Sequence, residues 1–453
     1  MIKRKTLTKT KLSVVAGAAA LAALTPNVQA QSSDALIDKL VSKGILTTDE
    51  AKDLREEADN DFKTAFQAKT GMPDWVNGYK IYGDFRGRFE DINTYDANTS
   101  TRDRFRYRLR AGLTVYMKND LEAGLRLTSD EDAKGNTTGG DPISGNTTMT
   151  GNGSKKFIYV DLAYGKWSPL HENGWEGNVT FGKMENPFTL SDLVFDGDYT
   201  PEGGAIQLGY ALTDIHTLRF NGGGFALYED TGSSYDSYLL GSQLRLESKW
   251  NDKWATSVGG SYFNLLHSGN LTTANEPNSN AGNWRHGAAG VLDDSFTLAE
   301  VDAAVTYTLE SFPMYNGAFP IKLAGDFINN TSAKDNQDTG YSAGVTFGKA
   351  GKKGLWEVSY RYKYLEANAW YEELVDSDTG AYYGAAYHNS PTGKGYSTGT
   401  NIKGHVFKGT YNLTDSFSLG VTYLLTTLIQ QPTAAQSYAS GTGRLQLDAT
   451  WKF

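Results

Sequence analysis

From Gly78 to Phe453 apolar and polar residues alternate with a period of two, in short runs separated by turn-forming residues. In the first run Ile81, Gly83, Phe85, Gly87 and Phe89 alternate with Tyr82, Asp84, Arg86, Arg88 and Glu90. Successive side chains of a strand point to opposite faces, so this run has one apolar face and one charged face. The second run sets Phe105, Tyr107, Leu109, Leu113, Val115 and Met117 against Arg104, Arg106, Arg108, Arg110, Thr114 and Tyr116. The last sets Leu445, Leu447, Ala449, Trp451 and Phe453 against Arg444, Gln446, Asp448, Thr450 and Lys452.

Continued along the chain, the pattern predicts sixteen strands, near 79–91, 103–118, 120–130, 156–167, 174–184, 203–212, 214–228, 237–250, 253–267, 297–310, 319–330, 338–349, 354–366, 402–412, 416–427 and 442–453. Asn119-Asp120, Thr213-Asp214, Asn251-Asp252 and Thr414-Asp415 read as tight turns, and the segments around 131–155, 185–202, 268–296 and 367–401 read as long loops. An even strand count with short periplasmic turns and long external loops is the asymmetry of an all-β, antiparallel transmembrane barrel. Trp175, Trp254, Trp356 and Trp451 fall near the turn ends, where a membrane girdle is expected. Eighteen strands stay open as an alternative: alternation is poor over 402–412, and the stretch Ala381 to His388 has room for a further hairpin.

Residues before the barrel follow other periods. Lys3, Arg4, Lys5, Lys9 and Lys11 precede an Ala-rich apolar stretch from Leu12 to Leu24 and the small-residue site Val28-Gln29-Ala30, the three parts of a cleaved secretory signal. Residues 31–75 then form a short α-helical hairpin. Leu36, Ile37, Leu40 and Val41 have helical spacing, Gly44 is placed as a stop, and Thr47 with Glu50 makes a capping box ahead of Ala51, Leu54, Ala58 and Phe62. This periplasmic segment is a spacer, a plug, an oligomerisation element or a tether to the cell wall. The expected division is therefore signal peptide 1–30, helical segment 31–75 and outer-membrane barrel 76–453.

Composition agrees with export and with a barrel. Cleavage removes five of the 43 basic residues and none of the 52 acidic ones, leaving 38 against 52, a net of −14. A chain so acidic is not expected to bind nucleic acid, whose phosphates call for a basic surface. There is no Cys, so neither disulfides nor a lipidated Cys contribute. Mean hydropathy is negative, although a barrel's lipid-facing half alternates with polar positions and needs no long apolar run.

Enzymatic constellations are weak. Gly340-Tyr341-Ser342-Ala343-Gly344 and Gly395-Tyr396-Ser397-Thr398-Gly399 fit G-x-S-x-G, but neither stands at the strand-to-helix turn that a nucleophile elbow requires. The six His are scattered, and the acidic triplets at 130–132, 196–198 and 376–378 lack the remainder of a Ca²⁺ loop, so no metal or cofactor is expected. The reading is not an enzyme.

The main chemical feature is basic. Arg86, Arg88, Arg104, Arg106, Arg108, Arg110 and Arg126 share the lumen-facing phase of the first three strands. So many like charges persist beside water or facing anions, as one wall of a charged constriction. The alternative is a solvated wall held by ion pairs to Asp84 and Glu90.

The chain resembles the putative porin family of Gram-negative bacteria. The resemblance rests on Gly182-Lys183-Met184-Glu185-Asn186-Pro187-Phe188 with Asp192-Leu193-Val194-Phe195-Asp196, on Thr400-Asn401-Ile402-Lys403-Gly404-His405, on Tyr411-Asn412-Leu413-Thr414-Asp415, and on Phe453. It implies an outer-membrane channel, a third external loop folded into the pore, a homotrimer, and Phe453 as the signal read by the barrel-assembly machinery. With the loop inside, Asp192, Asp196, Asp198 and Glu202 would face the arginines across a narrow gap. The expected function is passive diffusion of small polar solutes and ions through the outer membrane. The alternatives are an uptake channel for phosphate-type anions and a structural tether.

Overall fold

The computed structural model describes residues 73–94, 101–131, 139–232, 234–278, 281–380, 399–430 and 441–453. The signal segment 1–30 and the predicted helices before residue 73 lie outside the described residues. The chain divides into two units, Met1–Asn77 and Gly78–Phe453, and the second is the barrel.

Its wall strands are β1 (Val76–Thr94), β2 (Arg102–Met117), β3 (Leu121–Asp130), β4 (Phe157–Leu170), β5 (Trp175–Lys183), β6 (Glu202–Ala211), β7 (His216–Tyr228) and β8 (Ser237–Lys249). They continue as β9 (Trp254–Leu266), β10 (Phe296–Leu309), β11 (Phe319–Asn330), β12 (Thr339–Gly348), β13 (Trp356–Leu365), β14 (Ile402–Asn412), β15 (Phe417–Leu428) and β16 (Gly441–Lys452). Each pairs with its sequence neighbour, and β16 pairs with β1 from Asp84↔Lys452 to Thr94↔Thr442, closing an antiparallel barrel of sixteen strands. The main chain of Phe453 finishes the seam: its N–H donates to the Gly83 carbonyl at 3.1 Å, and the Gly83 N–H returns a bond of 2.9 Å. Closure removes the edge strands and pairs the backbone, which a lipid environment demands.

The eighteen-strand alternative is excluded. β13 pairs directly with β14 from Trp356↔Tyr411 to Leu365↔Ile402, so no further strand stands between them. The Ala381 to His388 stretch itself lies outside the described residues.

Alternation places Ile81, Phe105, Val160, Phe181, Leu244, Val301 and Leu323 outward, where they stay exposed as a lipid-facing surface needs. At the turn ends Trp175 lies opposite Tyr210 and Trp254 opposite Tyr307, with ring centroids 4.5 and 4.6 Å apart, and Trp451 stacks on Phe417 at 4.7 Å. Tight turns suit this end. Asn119 and Asp120 both take positive φ (61° and 60°), a conformation these residue types tolerate best after Gly.

The other end carries the long loops, of which loop 2 (131–156), loop 3 (184–201), loop 5 (267–295) and loop 7 (366–401) matter most. Loop 3 turns into the lumen directly after Gly182. There φ is 121°, and a Cβ would meet the Ala163 carbonyl at 2.3 Å. Phe188, Leu193, Val194 and Phe195 of loop 3 and Trp370, Leu374 and Val375 of loop 7 form one buried cluster with inward-facing Phe225, Leu239, Phe263, Phe296 and Leu298. The loop end of the lumen between β7 and β11 is thus an apolar core, and farther along the same strands Gln243, Arg245, Glu300 and Asp326 are buried polar residues. Trp370 is fully buried, donates from Nε1 to the Val194 carbonyl at 3.0 Å, and ties the two loops together.

Candidate functional site: the charged wall and the loops that meet it

The arginines of β1 and β2 point into the lumen as their phase requires, yet they are not a bare basic surface. Arg88, Arg106, Arg108 and Arg126 are buried, and most of the set is matched by carboxylates. On the wall itself Asp84 takes Arg110 Nε at 2.7 Å and Arg108 Nη2 at 3.1 Å. Glu90, fully buried, takes Arg104 and also Arg444 of β16, the latter at 2.5 Å. Asp448 of β16 holds Arg88 through Nε at 2.7 Å and Nη2 at 2.9 Å, a two-pronged contact that fixes the guanidinium plane.

The inserted loops supply the rest. Asp198 of loop 3 accepts from Arg108 Nη1 at 2.7 Å and lies 3.6 Å from Arg110 Nη1. Asp378 of loop 7 lies 3.2 Å from Arg88 and 2.8 Å from Arg444. Burial alone would raise the Asp378 carboxyl, but the Arg444 and Arg88 charges hold it well below the usual carboxylate range. Beside the contact of Asp198 with Arg108 a cavity of about 290 Å³ opens between Arg108, Arg110, Thr128, Asp161 and Asp198 and the Ser144–Gly145 turn of loop 2.

The four acids expected opposite the arginines separate. Only Asp198 reaches them. Asp192 lies against a second basic group that the sequence reading missed: Lys363 at 2.8 Å, Arg361 at 2.9 Å and Lys408 at 3.9 Å. Burial pushes the Asp192 carboxyl up, and these three cations outweigh it and hold it low. Asp196 bonds within the loops, accepting from the Asp198 and Ser377 N–H groups at 2.8 and 3.1 Å. Burial, with Asp376 and Asp198 alongside, raises it well above the ordinary value. Glu202, at the start of β6, pairs with Lys183 at 3.1 Å and is exposed. Arg126 on β3 pairs with Asp161, which bulges out of register opposite it, and with Glu185 at the root of loop 3. The physical reason is reach: loop 3 crosses the lumen, so only the residues of its returning limb come back to β2.

The second basic group was legible in principle. Arg361 and Lys363 alternate with Tyr360, Tyr362 and Tyr364 on β13, and that phase faces the lumen. Asp378 gave no such signal, since its role depends on which loop turns inward, whereas Arg444 already stood on the polar phase of the last strand. Of the catalytic-looking motifs, Ser342 is buried inside β12 and donates to Asp326, a structural bond. Gly395 to Thr398 lie outside the described residues. Among the described residues no group of three His, Cys, Asp or Glu could hold a metal ion.

A closed barrel with an apolar outer surface, aromatic turn ends and a charged, loop-constricted interior is the arrangement of an outer-membrane channel. Residues 92–279 match the putative porin family. That stretch carries the arginines of β2 and β3 and the whole of loop 3, and with the closed barrel it supports an outer-membrane channel of a Gram-negative bacterium. No curated protein matches the chain in sequence. Among solved structures it is similar to OprB of Pseudomonas putida at high pH (10% identity, TM-score 0.48, covering 83% of this chain and 94% of that one). It is also similar to OmpF of Salmonella typhi in complex with daunomycin (11%, 0.44, 83% and 97%). A third is the trimer form of in-vitro folded OmpT of Vibrio cholerae (11%, 0.42, 83% and 99%). The barrel assignment rests on this chain's own strand pairing.

Proposed function

We propose that this barrel is a narrow passive channel for small polar solutes and ions, constricted where loops 3 and 7 meet the arginine wall. The observation that carries this is the contact of Asp198 with Arg108 and Arg110, seconded by Asp378 with Arg88 and Arg444. Opposed charges across a confined gap produce a transverse field, which favours dipolar and charged solutes over apolar ones. In this reading Arg86, Arg88, Arg106, Arg108, Arg110 and Asp198 line the narrow part. Asp192 and Asp196 hold loop 3 in place, and Arg126 and Glu202 secure its two ends.

Assembly belongs to the same reading. Phe453 at the β1–β16 seam serves as the signal for the barrel-assembly machinery, and the barrels associate as a homotrimer, as the trimer form of OmpT suggests. The test is single-channel conductance of the purified protein in a planar bilayer, with reversal potential in a salt gradient. Small, ion-selective conductance steps are expected. A folded barrel that passes no current overturns the channel reading.

A further inference from the structure

Seven arginines line the lumen on β1, β2 and β16, and five carboxylates touch them. Asp84, Glu90, Asp198, Asp378 and Asp448 account for Arg88, Arg104, Arg108, Arg110 and Arg444. Arg86 and Arg106 are the surplus. Among the described residues neither has a carboxylate within ion-pair distance. Carboxylates act on both only from farther away, Asp448 and Asp198 on Arg86, Glu90 and Glu131 on Arg106.

Both surplus guanidiniums converge on one neutral residue of loop 2. Arg86 Nη2 donates to the Asn146 side-chain carbonyl at 2.7 Å, and Arg106 Nη2 donates to the Asn146 main-chain carbonyl at 3.1 Å. The Nε atoms of Arg86 and Arg106, and that of neighbouring Arg108, are buried without an acceptor. Arg106 is only 8% exposed. Guanidinium does not shed its proton in proteins, and a neutral amide cannot offset the cost of burying two like charges together. Among the described residues the negative charge in direct contact with this pair is therefore incomplete.

We propose that Arg86 and Arg106, gathered by Asn146, form a subsite in the constriction for one small oxyanion of the carboxylate or phosphate kind. Two planar forks with free N–H groups suit an oxyanion, which accepts several charge-assisted bonds at once. The 290 Å³ cavity lies beside the subsite and not in it: Ser144 and Gly145, next to Asn146, and Arg108 line it together with Asp130, Asp141, Asp161, Asp198 and Glu202. The lumen-facing position restricts the ligand to a soluble anion, since lipid lies on the other side of the wall. Aspartate at 146 would have the same shape and would supply part of the missing charge, so asparagine leaves the site open. This inference rests on the channel reading and narrows it to solutes with an oxyanion group.

The experiment uses the full-length protein in planar bilayers, with inorganic phosphate and acetate added at constant ionic strength. Chloride current should fall saturably with phosphate, showing that phosphate occupies a site on the path. Asn146→Asp should raise the half-blocking phosphate concentration by roughly tenfold or more and move the reversal potential toward cations. Arg106→Gln, checked for folding by heat-modifiable migration, should do the same if the first variant assembles poorly. Unchanged phosphate block in folded Asn146→Asp and Arg106→Gln channels overturns the subsite. So does phosphate that stabilises the barrel against heat yet leaves the current untouched, which would make it a structural counter-ion. Normal chloride conductance with no saturable block overturns the subsite alone, whereas absence of any conductance overturns the channel reading beneath it.

Discussion

The two halves of the lumen solve the same problem in opposite ways. Between β7 and β11, inward positions near the loop end are Phe225, Leu239, Phe263, Phe296, Leu298 and Ile328, all covered by loops 3 and 7. On β1, β2 and β16 the inward positions are Arg88, Glu90, Arg104, Arg106 and Arg444, of which all but Arg106 are matched by charge. Burying one large apolar side chain contributes about 1.5–3 kcal/mol. A buried ion pair, after desolvation, contributes close to nothing or costs free energy. The apolar half therefore anchors the loops, and their acidic residues are delivered to the charged half as a consequence. The apolar side anchors the loops, and the proposed selectivity belongs to the charged side of the same barrel.

The largest test of that division is Arg285→Ala. Arg285 is 1% exposed and joins loop 5 to loop 7, touching Glu276 and lying 2.5 Å from Glu372. Its removal leaves Glu372 and Glu276 buried without their guanidinium partner, a loss of about 3–5 kcal/mol. Loops 5 and 7 should leave the lumen, and bilayer conductance should rise severalfold while the barrel still migrates as folded. Unchanged conductance would mean that the apolar half does not hold the constriction.

A smaller change is Trp370→Phe, which keeps most of the ring but leaves the Val194 carbonyl without its donor, at about 1–3 kcal/mol. Faster hydrogen exchange confined to residues around 190–196 and 370–376 is expected, with conductance little changed. Exchange spreading into β7–β11 would show that the loops stabilise the wall as well.

On the charged side, replacing Arg86, Arg108 and Arg110 together with Ser should leave the barrel assembled, because lumen substitutions mainly tune selectivity. Three positive charges disappear while Asp84 and Asp198 stay, so reversal potential in a salt gradient should move toward cations. Asp198→Asn should move it the other way. A well-folded triple variant with unaltered selectivity would remove these arginines from the constriction.

The mildest effect is on pH. Burial pushes the Glu276 carboxyl up to about 8, with Arg285 opposing and Glu372 adding to the rise. Between the ordinary glutamate value of 4.5 and about 8 the folded state therefore holds more protons than the unfolded state, and stability falls as pH rises through that window. Channel current noise should increase between about pH 6 and pH 9 as the loop 5–loop 7 contact loosens. In Glu276→Gln, which cannot ionise, the trend should flatten, and an equal pH response in that variant would place its origin elsewhere.

Much of the wall was legible without coordinates because period-two alternation is a local property: each strand shows both its faces within a few residues. The predicted tight turns at Asn119-Asp120 and Asn251-Asp252 were readable for the same reason. The poor alternation over 402–412 has a physical explanation in the fold. Lys403 and His405 face outward at the loop end of β14, where Tyr360 shares a hydrogen bond of 3.0 Å with His405, while Val406 faces inward and is buried. The apolar inward positions Phe263 and Phe296 likewise break the rule that lumen-facing residues are polar, because loops, and not water, cover them.

By itself, then, the amino-acid order determined the sixteen strands, their lipid-facing side and the lumen-facing phase of the arginines, since all of these follow from spacing along one chain segment, while the pairing of β13 with β14 decided sixteen against eighteen. Only the tertiary structure decided which carboxylate meets which arginine, that Asp192 crosses to Lys363 and Asp198 returns to Arg108, that loop 7 shares a core with loop 3, and that Arg86 and Arg106 are left in excess. Those are contacts between residues dozens to hundreds of positions apart. They depend on where the loops fall once the barrel has closed, and no local period encodes that.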